Sequence, residues 1–574
     1  MARAAEQKSF VRSSERPFWQ HAVGLLLLLV VLVPVIGTES AFVTDESFVV
    51  IQLDTIEDTG RWTLPHPMPA VDPEGAAFPL HGAARYESGY TLYGKHPALI
   101  YLYLPVHRAL GIVGLIGLSV LGTWAAALVA ARLAARVRGG SGVAALWLVG
   151  VASPLFFDGY VIHAHTLAAA LAGLAALSAL RAVDEDRWWL AAGTAVAALG
   201  VALLRSEGVL YALALGGAIG VLGLRRRSNR VVSLGLVTAA TGAAAFLLDR
   251  AWSAAVAGGG QTVATESFAT TEPGFLSGRV SSASFTWLMP GYRGGTLAEV
   301  LTMVGALLLV VGAVMVRRRP QDDGAVGLPI AGAVILLVRT VLEWGPVPGL
   351  LVAFCVGVVG LALVEGTVAR SPATRLIALT SAAFAVSIVL SQYAVGGHTE
   401  WGGRYFALGL PLVGAVAAAS LHRAFTAWPR RTAVAMQVSL VVAAISIGAL
   451  AVATLRSAHE RNRGRSDAVL AAAADLSAGD GGAPVVITED EQLPRLARGR
   501  YREVRFLLVA PSEVDRYLVR LADAGIDDLL LVSIDPPDSL AALPPEYEPV
   551  GAVVPYDLQY DAGGGLIHLH RVGT

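Results

Sequence analysis

An all-α polytopic membrane protein, with about thirteen transmembrane helices and a small α/β extracytoplasmic domain at its C-terminal end, follows from three features of the sequence. The 574 residues are 55% hydrophobic and only 15% charged, where a soluble globular chain is nearer a quarter charged. Apolar runs able to cross a bilayer recur from residue 22 to residue 455. Beyond that point polar content becomes ordinary, and short apolar runs alternate with an amphipathic one. The net charge of −1 gives no global field that points to nucleic acid. The single cysteine, Cys355, excludes a disulfide within the chain and argues against a cysteine-based metal cluster.

A helical span needs roughly 20 apolar residues. The candidates run over 22–38, 110–131, 141–157, 161–180, 188–204, 208–224, 231–248, 297–316, 325–341, 347–368, 374–393, 405–421 and 434–455. The third and fourth are short, as tilted or broken helices are. Lys8 and Lys95 are the only lysines, so arginine is the working cation. With residues 1–21 in the cytoplasm, the clusters Arg132–Arg136–Arg138, Arg225–Arg226–Arg227, Arg317–Arg318–Arg319 and Arg423–Arg430–Arg431 all fall inside. That is the positive-inside pattern. The basic residues before the first apolar run read as the flank of an uncleaved helix, because no small-residue cleavage site follows.

Residues 22–455 then form the transmembrane domain, with extracytoplasmic loops 39–109 and 249–296, and residues 456–574 form the outer α/β domain. The tail reads as strand 483–488, helix 512–525 and strand 527–534.

The first loop opens with TDESFVVIQLDTIEDTG, residues 44–60. On a helix Val49, Leu53 and Ile56 share one face, with Asp54, Glu57 and Asp58 opposite. This predicts an amphipathic helix lying along the bilayer. Asp45 and Glu46 stand side by side at its start. They are either a site or a solvated helix N-terminus, where the dipole favours acidic groups. Other charged and polar residues gather at the same membrane edge. Lys95 and His96 lie in YGKHPAL; Asp158, His163 and His165 in SPLFFDGYVIHAHT; Arg205 and Glu207 in LLRSEGVL; Glu400, Arg404 and Tyr405 in TEWGGRYF. Charged groups at such depth are costly, and are usually paired or functional.

The order and sidedness of these motifs resemble the GT-C glycosyltransferases, which include protein O-mannosyltransferases and aminoarabinose transferases. In that family an acidic motif follows the first span, matched by Asp45 and Glu46. A second acidic residue between the third and fourth spans is matched by Asp158. A Lys-Pro-Pro-like motif is matched by Lys95 and Pro97 with His96 as the departure, and an Arg-Pro-Glu-Gly-like turn by Arg205, Glu207 and Gly208 with Ser206 in place of proline. A Gly-Arg-Tyr motif is matched by Gly403, Arg404 and Tyr405, while HAHT lacks the glutamate of a Trp-Glu-His-Thr-like turn. The resemblance covers roughly residues 20–425.

The resemblance implies a multi-pass plasma-membrane enzyme, and the arginine usage suggests a bacterial source. Its donor would be a sugar on a polyprenyl phosphate. Its acceptor would be a hydroxyl of a lipid, glycan or protein, and the anomeric centre would usually be inverted. A hydroxyl is a poor nucleophile and needs a carboxylate base. Asp45 takes that part, with Glu46 orienting it or binding acceptor. Asp158 stabilises an oxocarbenium-like transition state, or simply caps two short helices. His163 and His165 bind sugar hydroxyls or cap the following span; as a zinc pair they are short of ligands. Arg404, Lys95 and Arg205 are candidates for the leaving phosphate. The alternatives are a structural pair of Arg404 with Glu400, interfacial anchoring by Lys95, and pairing of Arg205 with Glu207. Tyr405, Glu207, Glu400 and His96 are further substrate-binding candidates. The residues single out no cofactor, and they leave open a divalent metal where several carboxylates converge. A lipid-linked saccharide transporter or a non-catalytic envelope assembly protein is the competing reading. Charges near the bilayer midplane and repeated halves would favour the transporter, and the sequence has neither.

The topology is checked by cysteine labelling in intact cells. Cysteines replacing Thr265 and Asp480 are expected to react with an impermeant thiol reagent, and one replacing Arg227 is not. Labelling at Arg227 alone would invert the orientation.

Overall fold

This computed structural model describes residues 2–92, 96–185, 187–258, 275–291, 295–391, 401–476, 483–541, 543–557 and 563–572. The chain divides into two compact units. One comprises residues 1–36, 113–250 and 268–456, and the other residues 37–112, 251–267 and 457–574.

Among the described residues, 10 helices are long and apolar enough to cross a membrane. They coincide with ten of the expected spans, and Trp188–Leu204, of 17 residues, matches an eleventh. The other two expected spans are interrupted. Residues 141–157 form helix Gly142–Gly150 and then a single turn, Leu155–Asp158. Pro154 breaks the run because it has no N–H to donate, and the Ser153 hydroxyl donates to the Val149 carbonyl at 2.6 Å. Residues 347–368 are split into Leu350–Ala353, Cys355–Ala362 and Gly366–Arg370. Glu365 ends the middle piece by pairing with Arg317 at 2.7 Å and with Arg423. In both places a hydropathy window averages over one polar or imino residue that decides the backbone.

The second unit is built on a sheet. Strands β1 (Ala84–Tyr86) and β2 (Gly89–Thr91) form a small hairpin. Strands β3 (Val485–Thr488), β4 (Arg505–Leu508), β5 (Asp528–Ser533), β6 (Tyr547–Pro549), β7 (Val554–Asp557) and β8 (Gly563–Arg571) form the main sheet. Its order is β4-β3-β5-β8-β6, with β7 also paired to β8. The three-strand core β4-β3-β5 is parallel, and β8 runs antiparallel to β5. Helix Val514–Asp523 makes the crossover from β4 past β3 to β5, the kind of connection that parallel strands of one sheet require. The expected strand, helix and strand of the tail all form.

Both faces of this sheet are apolar, so both must be covered. On one face Val485, Ile487, Leu507, Leu529 and Leu531 pack with Tyr517, Leu518 and Leu521 of the crossover helix, and with Met68, Val71 and Ala77 of the first loop. On the other, Val486, Phe506, Leu530 and Val532 pack with Phe48, Ile51, Phe78 and Tyr90, again from the first loop, and with Val469 and Leu470. The first loop and the tail therefore share one core.

This changes the expected position of the helix at 44–60. It forms over Thr44–Thr59, and Val49, Leu53 and Ile56 are buried as predicted. Val50, Ile51, Gln52 and Thr55 are buried too. Protein covers most of the helix, and only the side with Asp54, Glu57 and Asp58 stays partly open. The Gln52 amide donates to the Trp62 carbonyl, and the Leu92 amide donates to Gln52 Oε1 at 3.4 Å.

Asp72 ties the loop to the tail. Its carboxylate accepts from Tyr517 Oη at 2.9 Å, from the Ala76 and Ala77 amides at 3.1 and 2.8 Å, and from His66 Nε2 at 3.0 Å. The Met68 amide donates to His66 Nδ1, so Nε2 carries the proton that faces Asp72. Burial alone would push the Asp72 carboxyl up, but the hydrogen bonds from His66, Ala77 and Tyr517 outweigh it and hold it at about 2. A depressed carboxyl pKa stabilises the fold above its unfolded value near 4, and that contribution is lost as pH falls toward 2. Asp72→Asn is expected to lower stability at pH 7 by about 2 kcal/mol, and to flatten the pH dependence of the thermal midpoint between about pH 5 and pH 2. An unchanged midpoint at pH 7 would contradict this role.

Candidate active site

In the helical unit, alternation of the helices sorts their ends. Helix His165–Asp184 has Arg181 in its last turn, Glu207–Arg225 ends on Arg225, and Leu410–Ala427 carries Arg423 near its end. The opposite ends carry the residues singled out from the sequence: His165, Arg205 with Glu207, and Arg404 just before residue 410. Asp158 lies in the turn that leads to His165. These groups thus share the end away from the arginine clusters.

The turn holding Asp158 is braced by spanning helices. Ser119 Oγ donates to the Val161 carbonyl at 2.9 Å, Thr123 Oγ1 to the Leu155 carbonyl at 2.8 Å, and Tyr160 Oη to the Leu29 carbonyl at 3.0 Å. Asp158 is 3% exposed and its Oδ2 has no hydrogen-bond partner among the described residues. Arg205 and Arg404 both act on it electrostatically. The same two arginines act on Glu207 and His165, so the four side chains and Arg404 form one charged cluster.

Within it Arg205 and Glu207 pair in bidentate fashion across the tight turn, at 2.7 and 3.1 Å. That pairing is one of the two alternatives the sequence leaves open. Fork-to-fork geometry is the strong form of such a bond. His163 and His165 are buried, with rings perpendicular and centroids 5.2 Å apart. Both ring nitrogens of His165 lack a hydrogen-bond partner among the described residues.

Arg404 is presented by two consecutive glycines. Gly402 and Gly403 have φ of 61 and 64, a left-handed conformation that side chains with Cβ resist. Their amides donate to the Val347 and Pro348 carbonyls at 2.8 and 2.6 Å. The preceding Trp401, 1% exposed, stacks on Phe157 with centroids 5.0 Å apart. This stack brings the turn against the segment carrying Asp158. The Arg404 guanidinium lies over the Tyr405 ring at 5.0 Å and Nη2 donates to Tyr405 Oη at 3.2 Å. Lys95 and Glu400 lie outside the described residues.

In the second unit, Asp45 and Glu46 occupy the first turn of helix Thr44–Thr59. Glu46 is 1% exposed, and its Oε1 accepts from the Phe42 and Val43 amides at 2.7 and 3.1 Å. A glutamate reaching back in this way satisfies donors that every helix start leaves free. Its Oε2 lies 3.6 Å from Arg498 Nη2. Asp45 is half-buried and acts electrostatically on Arg495. Burial pulls both guanidiniums down, and Asp45 and Glu46 respectively push them back up. His96 is buried with φ of 59, and its carbonyl accepts from the Leu99 amide.

The sequence did not single out Arg495 and Arg498. Their spacing of three in LPRLARGRYRE is visible, but nothing local says that the tail meets residues 45 and 46. One group among the described residues has metal-ligating atoms close together: Asp54, Glu57 and His107. His107 Nδ1 lies 3.0 Å from Glu57 and Nε2 3.8 Å from Asp54. The imidazole thus lies between the two carboxylates.

No protein-family model matches the sequence, and no curated protein matches it. Solved structures do. ArnT from Cupriavidus metallidurans, bound to undecaprenyl phosphate, superposes with a TM-score of 0.50 at 15% identity, over 96% of this chain and 98% of that one. The archaeal oligosaccharyltransferase AglB from Archaeoglobus fulgidus, in complex with an inhibitory peptide and a dolichol-phosphate, gives 0.51 at 14% identity, over 92% and 71%. This protein has the GT-C fold. The GT-C likeness runs through nearly the whole chain and includes both units.

Gly403→Ala tests this presentation of Arg404. A Cβ there would come within 2.6 Å of the Thr286 carbonyl oxygen, and φ near 60 strains any L side chain. The variant is expected to lose about 1–3 kcal/mol of stability, read as a lower thermal midpoint in detergent. Gly345→Ala, with nothing within 4 Å, is the control.

Proposed function

We propose that the protein is a membrane glycosyltransferase that moves a sugar from a polyprenyl-phosphate donor to a hydroxyl acceptor on the extracytoplasmic face, with inversion at the anomeric carbon. The observation that carries the reading is the cluster of buried Asp158 with part-buried Arg205, Glu207 and Arg404 at one end of an apolar bundle with a GT-C fold. A transporter has no need to concentrate carboxylates and guanidiniums at one rim. Two proteins of similar fold hold undecaprenyl phosphate and a dolichol-phosphate, which supports a lipid phosphate as the leaving group here.

In this reading Asp45 accepts the proton of the acceptor hydroxyl as its oxygen attacks the anomeric carbon. The bond from that carbon to the phosphate oxygen breaks, and polyprenyl phosphate departs with the electron pair. Asp158 offsets the positive charge that develops on the sugar ring. Arg404 receives the phosphate, with Lys95 as a second cation, while Arg205 is held by Glu207. Tyr405 orients Arg404, and His163, His165, His96 and Glu400 are further candidates for binding substrate. N-terminus inside and tail outside is the orientation that puts these groups on the extracytoplasmic face of a bacterial plasma membrane.

Purified protein incubated with a panel of polyprenyl-phosphate sugars is expected to release polyprenyl phosphate from at least one of them. Asp45→Asn keeps the shape and removes the base, and is expected to lower turnover by about 10²-fold or more with donor binding retained. Release from no donor in the panel would remove the enzyme reading. Near-normal turnover of Asp45→Asn would move the base to another carboxylate.

A further inference from the structure

The acidic pair is gripped from the far end of the chain. Residues 493–503 bring two arginines, three positions apart, to two adjacent carboxylates. Arg498 is 4% exposed, and its Nη2 sits 3.6 Å from Glu46 Oε2. Its backbone is held at φ of 45, a conformation uncommon for a residue with a side chain. Glycine would sit there without strain, so the position retains an arginine at a backbone cost. Arg495 lies with its guanidinium 4.7 Å from the Phe48 ring centroid, one turn from Asp45, and its Nη2 donates to the His81 carbonyl. Asn462 Nδ2 donates to the Ala41 carbonyl at 2.8 Å, which fixes the chain just before the helix. Glu46 therefore has one oxygen on the helix start and the other on the tail. Its neighbour Asp45 inherits its position from that double anchor.

We infer that Arg498, through Glu46, is a positioning residue for Asp45, with Arg495 as its companion, so that the C-terminal α/β domain is part of the catalytic apparatus and not an appended binding module. This rests on the reading of Asp45 as the base. Arg498 itself touches no reacting atom. It sets where the helix start, and with it Asp45, stands.

The test uses the full-length protein with Arg498→Gly, Glu46→Gln and the double variant. Glycine relieves the backbone strain, so loss of activity in Arg498→Gly reports the guanidinium and not the turn. The double variant leaves no buried unpaired charge, which guards against misfolding. Each single variant is expected to lower kcat by about 10–100-fold with KM for the lipid donor changed less than about threefold. Because both act through one contact, the double variant should lose no more than the worse single. Arg502→Gln, which breaks the exposed pair with Asp58, should leave kcat unchanged. Hydrogen exchange of amides 42–48, measured without any donor, should speed up by about tenfold or more in Arg498→Gly. Exchange at wild-type rates overturns the inference whatever the activity. A normal kcat for Arg498→Gly beside an inactive Asp45→Asn overturns it while leaving the functional reading intact. Full activity of Asp45→Asn removes the functional reading, and the inference with it.

Discussion

A sheet with two apolar faces holds only if both are covered, and residues 457–574 do not supply enough cover of their own. The crossover helix takes one face in part. The remaining apolar area is closed by Phe48, Ile51, Phe78 and Tyr90 on one side and by Met68, Val71 and Ala77 on the other. Everything in the second unit depends on this exchange. The Asp72 network, the mostly covered helix Thr44–Thr59 and the arginines facing Asp45 and Glu46 are consequences of one shared core. The polar links are local to it: each secures a segment whose place the apolar packing has already decided.

The helical unit obeys a different constraint. Its helices are rich in alanine and glycine and pack closely, so a charged group within it must find a partner or remain costly. Arg205 and Glu207 solve this with each other. Glu365 solves it with Arg317 and Arg423. Asp158 is solved less completely, with one carboxylate oxygen unpartnered among the described residues while two guanidiniums act on it. A buried polar atom left so is uncommon in a folded protein.

Much of this was legible in the sequence, and the reason is periodicity. The spans, the helix at 44–59 and the strand–helix–strand of the tail all repeat with the period of their element. The motif of Gly403, Arg404 and Tyr405 was legible, though the left-handed turn at Gly402 and Gly403 was not. Two expected spans failed for a local reason, Pro154 in one and Glu365 in the other, both printed in the sequence but outweighed by hydropathy. The partners of Asp45 and Glu46 were not legible at all. A pairing across more than four hundred residues, such as that of Asp72 with Tyr517 at a separation of 445, leaves no trace in any window. The amphipathic face of helix 44–59 announced burial, but burial against protein and burial against lipid look alike in one dimension.

That separation also sets a schedule for biosynthesis. Segment 39–92 leaves the ribosome with its apolar side chains exposed, and its covering sheet is made some four hundred residues later. At about 5–20 residues per second, the interval implied by a separation of 445 residues is about 20–90 s. During that time the segment presents Phe48, Phe78 and Tyr90 to whatever else is near. A chain that halts before Val485 therefore has its spanning helices made and its first loop without its covering sheet. Such a chain displays an apolar surface that a protease or chaperone can recognise.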